Sequence, residues 1–165
     1  ADYLVSISAH ASDGSPLTRR QADECLKALR QEGVEEIARH LSLALFDMDL
    51  HAAPNDGRSF EQRLNEARER CGYWPLADFE HPAHAFDHLV SGYDAGYYAY
   101  LWSDVQAFDV FTRFEAEGLL NRATGQALQD ALCAPGASRP LREGIEVFLG
   151  RQSEQAAYLS WHGLK

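Results

Sequence analysis

The chain has 165 residues, of which 45% are hydrophobic and 24% charged, and carries a formal net charge of −10. That length suits one domain with its own core, and the balance is that of a folded chain rather than a disordered one. The acidic excess argues against a nucleic-acid surface. No run nears the ~18 apolar residues of a membrane span, and the opening ADYLVSISAH lacks the basic start and apolar stretch of a signal peptide. The expected compartment is therefore the cytoplasm. Cys25, Cys71 and Cys133 are odd in number and form no CxxC pair. They read as reduced, mostly buried thiols, with neither a disulfide frame nor a thiolate metal site.

After a turn at SDGSP, the run LTRRQADECLKALRQ sets Ala22, Cys25, Leu26 and Leu29 on one face and predicts a helix stopped at Gly33. A second helix is expected over VEEIARHLSLALFDMDLH, where Ile37, Leu41, Ala44, Leu45 and Met48 make a broad apolar face. Glu35 and Glu36 suit the positive end of its dipole. A third, SFEQRLNEARERCGY, opens on a capping box, Ser59 with Gln62, and ends before Pro75. The connector WPLADFEHPAHAF follows. Further helices are predicted over 94–117, 122–133, 139–149 and 152–161, with Gly118, Gly150 and Gly163 as stops. No stretch alternates long enough to suggest a strand, and no repeat or linker divides the chain. The expected class is all-α, or mainly α.

The stretch HLVSGYDAGYYAYLW, residues 88–102, concentrates a histidine, two glycines and four tyrosines. In a helix starting after Gly92, Tyr93, Tyr97, Tyr100 and Asp104 share one face, while Tyr98, Leu101, Val105 and Phe108 form an apolar one. Half-buried tyrosines with their hydroxyls in water would account for the pattern structurally. Yet buried phenols need partners, and phenylalanine would fill a core as well. His88 just ahead, with Gly92 and Gly96 allowing close backbone approach, suits a site that holds a peptide carbonyl or donates to a developing oxyanion.

Other features have plainer readings. HPAHAFDH offers His81, His84 and His88 with Asp87 at helical spacing, but the sequence shows no supporting ligand geometry, so no metal is assigned and the first two read as loop or surface histidines. His10, His40, His51 and His162 read as structural or exposed, EEIAR and EARER as solvated charged faces, and Trp74, Trp102 and Trp161 as packing residues. No serine or cysteine stands in a nucleophile context, and no glycine loop has a phosphate-binding form.

HLVSGYDAGYYAYLW also resembles the C-terminal part of the catalytic domain in the thimet oligopeptidase and oligopeptidase A family of zinc metallopeptidases. The five-residue step from His88 to Tyr93 is similar to the thimet-type spacing. LFDMDLH at 45–51, FTRFEAEGLLNRATGQ at 111–126, SRPLREGIEVFLGR at 138–151 and HGL at 162–164 are similar to that family in content and order. Ser91 and Ala137 depart from it, each standing where the family usually has glycine. The resemblance implies that His88 binds substrate in a mobile loop containing Gly92. It further implies that Tyr93 and Tyr100 bind substrate and stabilise the tetrahedral transition state, and that Tyr97 lines the same cleft. The family holds zinc on an HExxH helix with a further glutamate ligand, and none of the seven histidines begins that motif.

Residues 1–165 are thus expected to be the C-terminal portion of such a catalytic domain, without its HExxH helix. Zinc would belong to the complete enzyme and none to this chain, which alone would be inactive. The partners implied are short peptide substrates and the upstream half of the same domain, with no nucleic acid and no membrane. The alternative is a non-catalytic helical module, derived from that domain, that keeps a peptide groove or partner surface.

Overall fold

Residues 1–164 are described by a computed structural model, except for the side chains of Gln31 and Glu32. Seven α-helices follow in order: α1 Asp2–Ile7, α2 Arg19–Ala52, α3 Phe60–Arg70, α4 Ala99–Glu117, α5 Arg122–Leu128, α6 Leu141–Leu149 and α7 Ala156–Trp161. Among the described residues there is no strand, so the class is all-α, as the periodicities indicate.

α2 opens on a capping box, the Thr18 hydroxyl accepting from the Gln21 N–H while the Gln21 side chain accepts from the Thr18 N–H. It then runs through Gly33 without a break, so the two helices expected there are one of 34 residues, ~50 Å long. The reason lies at the far end of the chain. A Cβ on Gly33 would sit 3.0 Å from both Cε1 and Nδ1 of His162, so the missing side chain is a notch for the residue that follows α7. Glycine costs a helix about 1 kcal/mol relative to alanine, and close packing here offsets it.

The buried face of α2 also differs from the expected one. Leu41 and Met48 are exposed, whereas Ser42, Ala44, Phe46 and Asp47 are buried. Phe46 forms the core with Leu64 and Ala67 of α3 and with Ala83, and Leu43, Leu50, Leu76, Phe86 and Leu89 pack around it. Each such large apolar side chain contributes roughly 1.5–3 kcal/mol when fully buried. Beside this core the guanidinium of Arg63, itself buried, donates to Asp49 Oδ2 at 2.8 Å, to the carbonyls of Asp49 and Ala53, and to Asp56. A buried cation so fully partnered fixes the turn between α2 and α3.

Two short 3-10 turns, Pro82–Ala85 and Asp87–Leu89, carry the chain towards α4, which begins at Ala99 rather than near residue 94. Downstream, α5 continues into a π-helical turn over Gln129–Cys133, which keeps 122–133 helical. α6 starts after Pro140 and ends at Gly150, whose φ of 69° makes a left-handed cap. α7 starts later than expected because the residues before it are held elsewhere: Asp109 accepts from Ser153 Oγ at 2.9 Å and from the Glu154 N–H at 2.8 Å.

Two expectations about single residues fail. The three cysteines are free, but Cys25 and Cys133 are exposed rather than buried. Trp74 and Trp102 lie open at the surface, whereas Trp161 packs under the Arg30 guanidinium at 4.5 Å and beside Phe108. Trp74 lies in the connector after α3 and Trp102 on an outward face of α4, which residue type alone does not reveal.

Candidate functional site

Phe86 is the pivot of the site. Its ring packs against Phe46 in the core and stacks on His88 at 5.0 Å, so the core sets the height and tilt of the imidazole. His88 Nε2 then lies 3.3 Å from the Tyr100 hydroxyl, at the start of α4. The rings of Tyr93, Tyr97 and Tyr100 stand 5.7, 4.8 and 5.7 Å from the His88 ring, all edge-on. Tyr93 and Tyr100 stack on each other at 6.0 Å. The four residues singled out in the sequence therefore meet. Their exposures differ usefully: Tyr97 is 5% exposed, whereas Tyr93 is 50% and Tyr100 38%. Two of the tyrosines are open to solvent and the third supports them from behind.

The convergence does not arise from one helix face. Only Tyr100 is helical, and residues 93–98 form consecutive turns. What shapes them is Asp47, fully buried on α2, whose Oδ1 accepts from the Ala95 N–H and whose Oδ2 accepts from the Tyr97 N–H, each at 3.0 Å. His51, one turn on, brings Nδ1 to 3.1 Å from the same carboxylate. With those amides pointed at a side chain, the segment cannot close helical hydrogen bonds, and Ala95 adopts φ 55°, rare for a residue with a Cβ. Gly92 sits at φ 87°, a conformation that glycine accepts without strain. Asp47 was not among the residues predicted for the site. One signal was available: an acidic residue between Phe46 and Met48 on a largely apolar helix must find donors if it is buried.

A polar layer backs Tyr97. The Glu36 carboxylate accepts from Arg39 Nε at 3.0 Å and meets His40 Nε2 at 2.8 Å, while the His40 ring lies 5.7 Å from Tyr97 and 6.2 Å from Tyr100. These Arg39 hydrogen bonds, with a smaller part from His40, hold the Glu36 pKa at about 2 despite some burial. Burial pushes the Tyr97 phenol up, and the Arg39 charge offsets this only partly. Tyr97 thus stays a neutral phenol. EEIAR, read as a solvated face, contributes this layer through Glu36 and Arg39. His88 Nδ1 is buried without a hydrogen-bond partner, although Asp87 Oδ1 lies 3.1 Å away.

This wall does not suit a resident zinc ion. Among the described residues, the only three side chains able to share a metal are Glu61, His81 and His84, and none belongs to the wall. His88 turns towards the tyrosines and away from His81 and His84, whose helical spacing with it is therefore not realised as a shared face. Also among the described residues, no helix is long and apolar enough to cross a membrane. Chemically, the wall can donate hydrogen bonds from two phenols to an oxygen lying against it, with the His88 imidazole behind the Tyr100 hydroxyl.

Comparison with known proteins gives a consistent result. Oligopeptidase A of Escherichia coli strain K12 is 38% identical over 167 residues, covering 99% of this chain and 25% of that protein. The thimet-like oligopeptidase of Dictyostelium discoideum is 32% identical over 166 residues, covering 99% of this chain and 25% of that protein. Saccharolysin of Saccharomyces cerevisiae is 27% identical over 165 residues, covering 98% and 23%. The chain thus spans about a quarter of the length of the curated relatives it matches. The model of peptidase family M3 matches residues 1–164, and the chain belongs to that family.

Proposed function

We propose that this chain is the C-terminal portion of a zinc oligopeptidase catalytic domain, and that it supplies the wall against which a short peptide is held and its transition state stabilised. The observation that carries this reading is the meeting of His88, Tyr93 and Tyr100 around open hydroxyls, backed by buried Tyr97. Family membership and the oligopeptidase relatives support the peptide substrate class. The wall residues do not fit the zinc that the family implies, so the catalytic ion would be held by other parts of the complete protein.

The chemistry follows from the donors. A scissile carbonyl gains charge on oxygen as its carbon becomes tetrahedral, and a donor aimed at that position strengthens as the charge grows. Tyr100 fills this role: the residue is 38% exposed, and His88 Nε2 at 3.3 Å orients its hydroxyl. Tyr93 and the loop around Gly92 hold the peptide backbone, and Tyr97 keeps the wall in shape. One well-placed donor contributes on the order of 3 kcal/mol in the transition state.

In the complete, zinc-loaded enzyme, Tyr100→Phe should lower kcat roughly 10²-fold with little change in KM. Tyr98→Phe is the control, because Tyr98 faces Trp102 and not the wall. It should leave turnover within a few-fold of the parent at equal melting temperature. Small, equal effects from the two substitutions would reduce the wall to packing and overturn its assignment.

A further inference from the structure

The turn that delivers His88 carries a second group of donors. Glu61, in the first turn of α3, faces His81 and His84, which flank Pro82 and Ala83. His84 Nε2 lies 2.8 Å from Glu61 Oε1, and His81 Nδ1 lies 3.6 Å from the same oxygen. The two imidazoles stack at 17° with centroids 5.7 Å apart, and all three donor atoms lie within 4.8 Å of one another.

The spacing suits one cation. Zinc bonds of about 2.0–2.2 Å in a tetrahedral site put ligand atoms roughly 3.3 Å apart, a value that the 2.8 and 3.6 Å separations bracket. Two imidazoles and one carboxylate are a borderline donor set that favours zinc, cobalt or nickel over magnesium or calcium. The site is also partly preorganised. Pro82 restrains the turn, Ala83 between the two histidines is buried in the core, and Phe60 packs edge-on against His84 at 6.3 Å. Both histidines are more than half exposed, which leaves room for water to complete the coordination.

We propose that Glu61, His81 and His84 form a binding site for a zinc-class divalent cation. The cation binds one Glu61 oxygen and the lone pairs of His84 Nε2 and His81 Nδ1, each neutral ring keeping its proton on its other nitrogen. It thereby clips the 82–85 turn to α3. Because that turn leads through Phe86 to His88, the clip stiffens the base of the tyrosine wall. The inference is independent of the peptidase reading, since none of its ligands belongs to that wall.

The test uses Co2+ as a probe on the metal-stripped 165-residue chain near neutral pH. One equivalent should bind with a dissociation constant below ~100 µM, give visible d–d absorption, and yield to Zn2+ but not to Mg2+. His81→Gln, His84→Gln and Glu61→Gln should each weaken binding about tenfold or more, with far-UV circular dichroism unchanged. In parallel, Zn2+ should shift the ring resonances of two histidines and leave those of His10 in place, a readout that needs no variant. Absence of Co2+ binding at ~100 µM, or equal binding by the His81→Gln/His84→Gln double variant, would overturn the site in favour of an ordinary histidine–glutamate pair.

Discussion

Asp47 and Asp109 are both sealed from solvent, and each holds a segment of chain out of helical form, yet their charges are answered differently. Asp109 on α4 faces a cation: Arg151 donates to both its oxygens, at 3.0 and 2.5 Å, alongside Ser153 and the Glu154 N–H. Among the described residues, Asp47 on α2 meets no arginine. Its acceptors go to two backbone N–H groups of the tyrosine loop, with His51 alongside. A carboxylate clamped by guanidinium chiefly ties elements together, whereas one bound to amides dictates the path of the segment that carries them. The first should govern stability and the second the geometry of the wall.

The largest expected effect tests the first half of that contrast. Asp109→Ala removes one partner of a buried pair, and because Arg151 keeps partial access to water the cost should fall at the lower end of the known range, about 3 kcal/mol. Chemical denaturation measures it, and a loss below ~1 kcal/mol would place this pair with ordinary surface bridges.

Asp47→Asn should cost less, about 1–2 kcal/mol, because the amide keeps one acceptor while turning its NH2 towards the N–H of Ala95 or Tyr97. Its signature lies elsewhere. In the complete enzyme kcat/KM should fall about tenfold, or ~1.4 kcal/mol, while Asp109→Asn leaves the activity of the remaining folded protein near the parent's. Full activity in Asp47→Asn would show that the loop keeps its shape without the carboxylate.

The smallest effect is one of pH. Burial pushes the Asp109 carboxyl up, but Arg151, the Glu154 N–H and Ser153 together outweigh it and leave the pKa below the usual value of 3.8. A pKa depressed in the folded state contributes stability that is fully present above the unfolded value and is lost as pH falls through the folded one. Stability should therefore decline below about pH 4, and less steeply in Asp109→Asn. Parallel acid profiles for the two proteins would remove Asp109 as a source of acid sensitivity.

Local features were legible in the sequence wherever one helix's own periodicity and caps decide them. The Ser59 and Gln62 capping box is present, and α4 and α6 end at Gly118 and Gly150 as the glycine stops indicate. His88, Tyr93, Tyr97 and Tyr100 were marked by composition and resemblance, and they do come together. The helix assumed to carry the tyrosines was wrong, because Asp47 captures amides 48 and 50 residues away.

By itself, then, the sequence determined the helical class and most helix ends, properties set by neighbours a turn or two apart, while composition and resemblance marked the side chains of the wall. Only the tertiary structure decided that α2 passes through Gly33, that His88 leaves its histidine neighbours for the tyrosines, and that Glu61 joins His81 and His84 in its place. Each of these depends on a notch, a stacked ring or a buried charge meeting a partner distant in sequence. The pressure to pack and to satisfy buried polar groups acts across space, and helical periodicity carries no record of it.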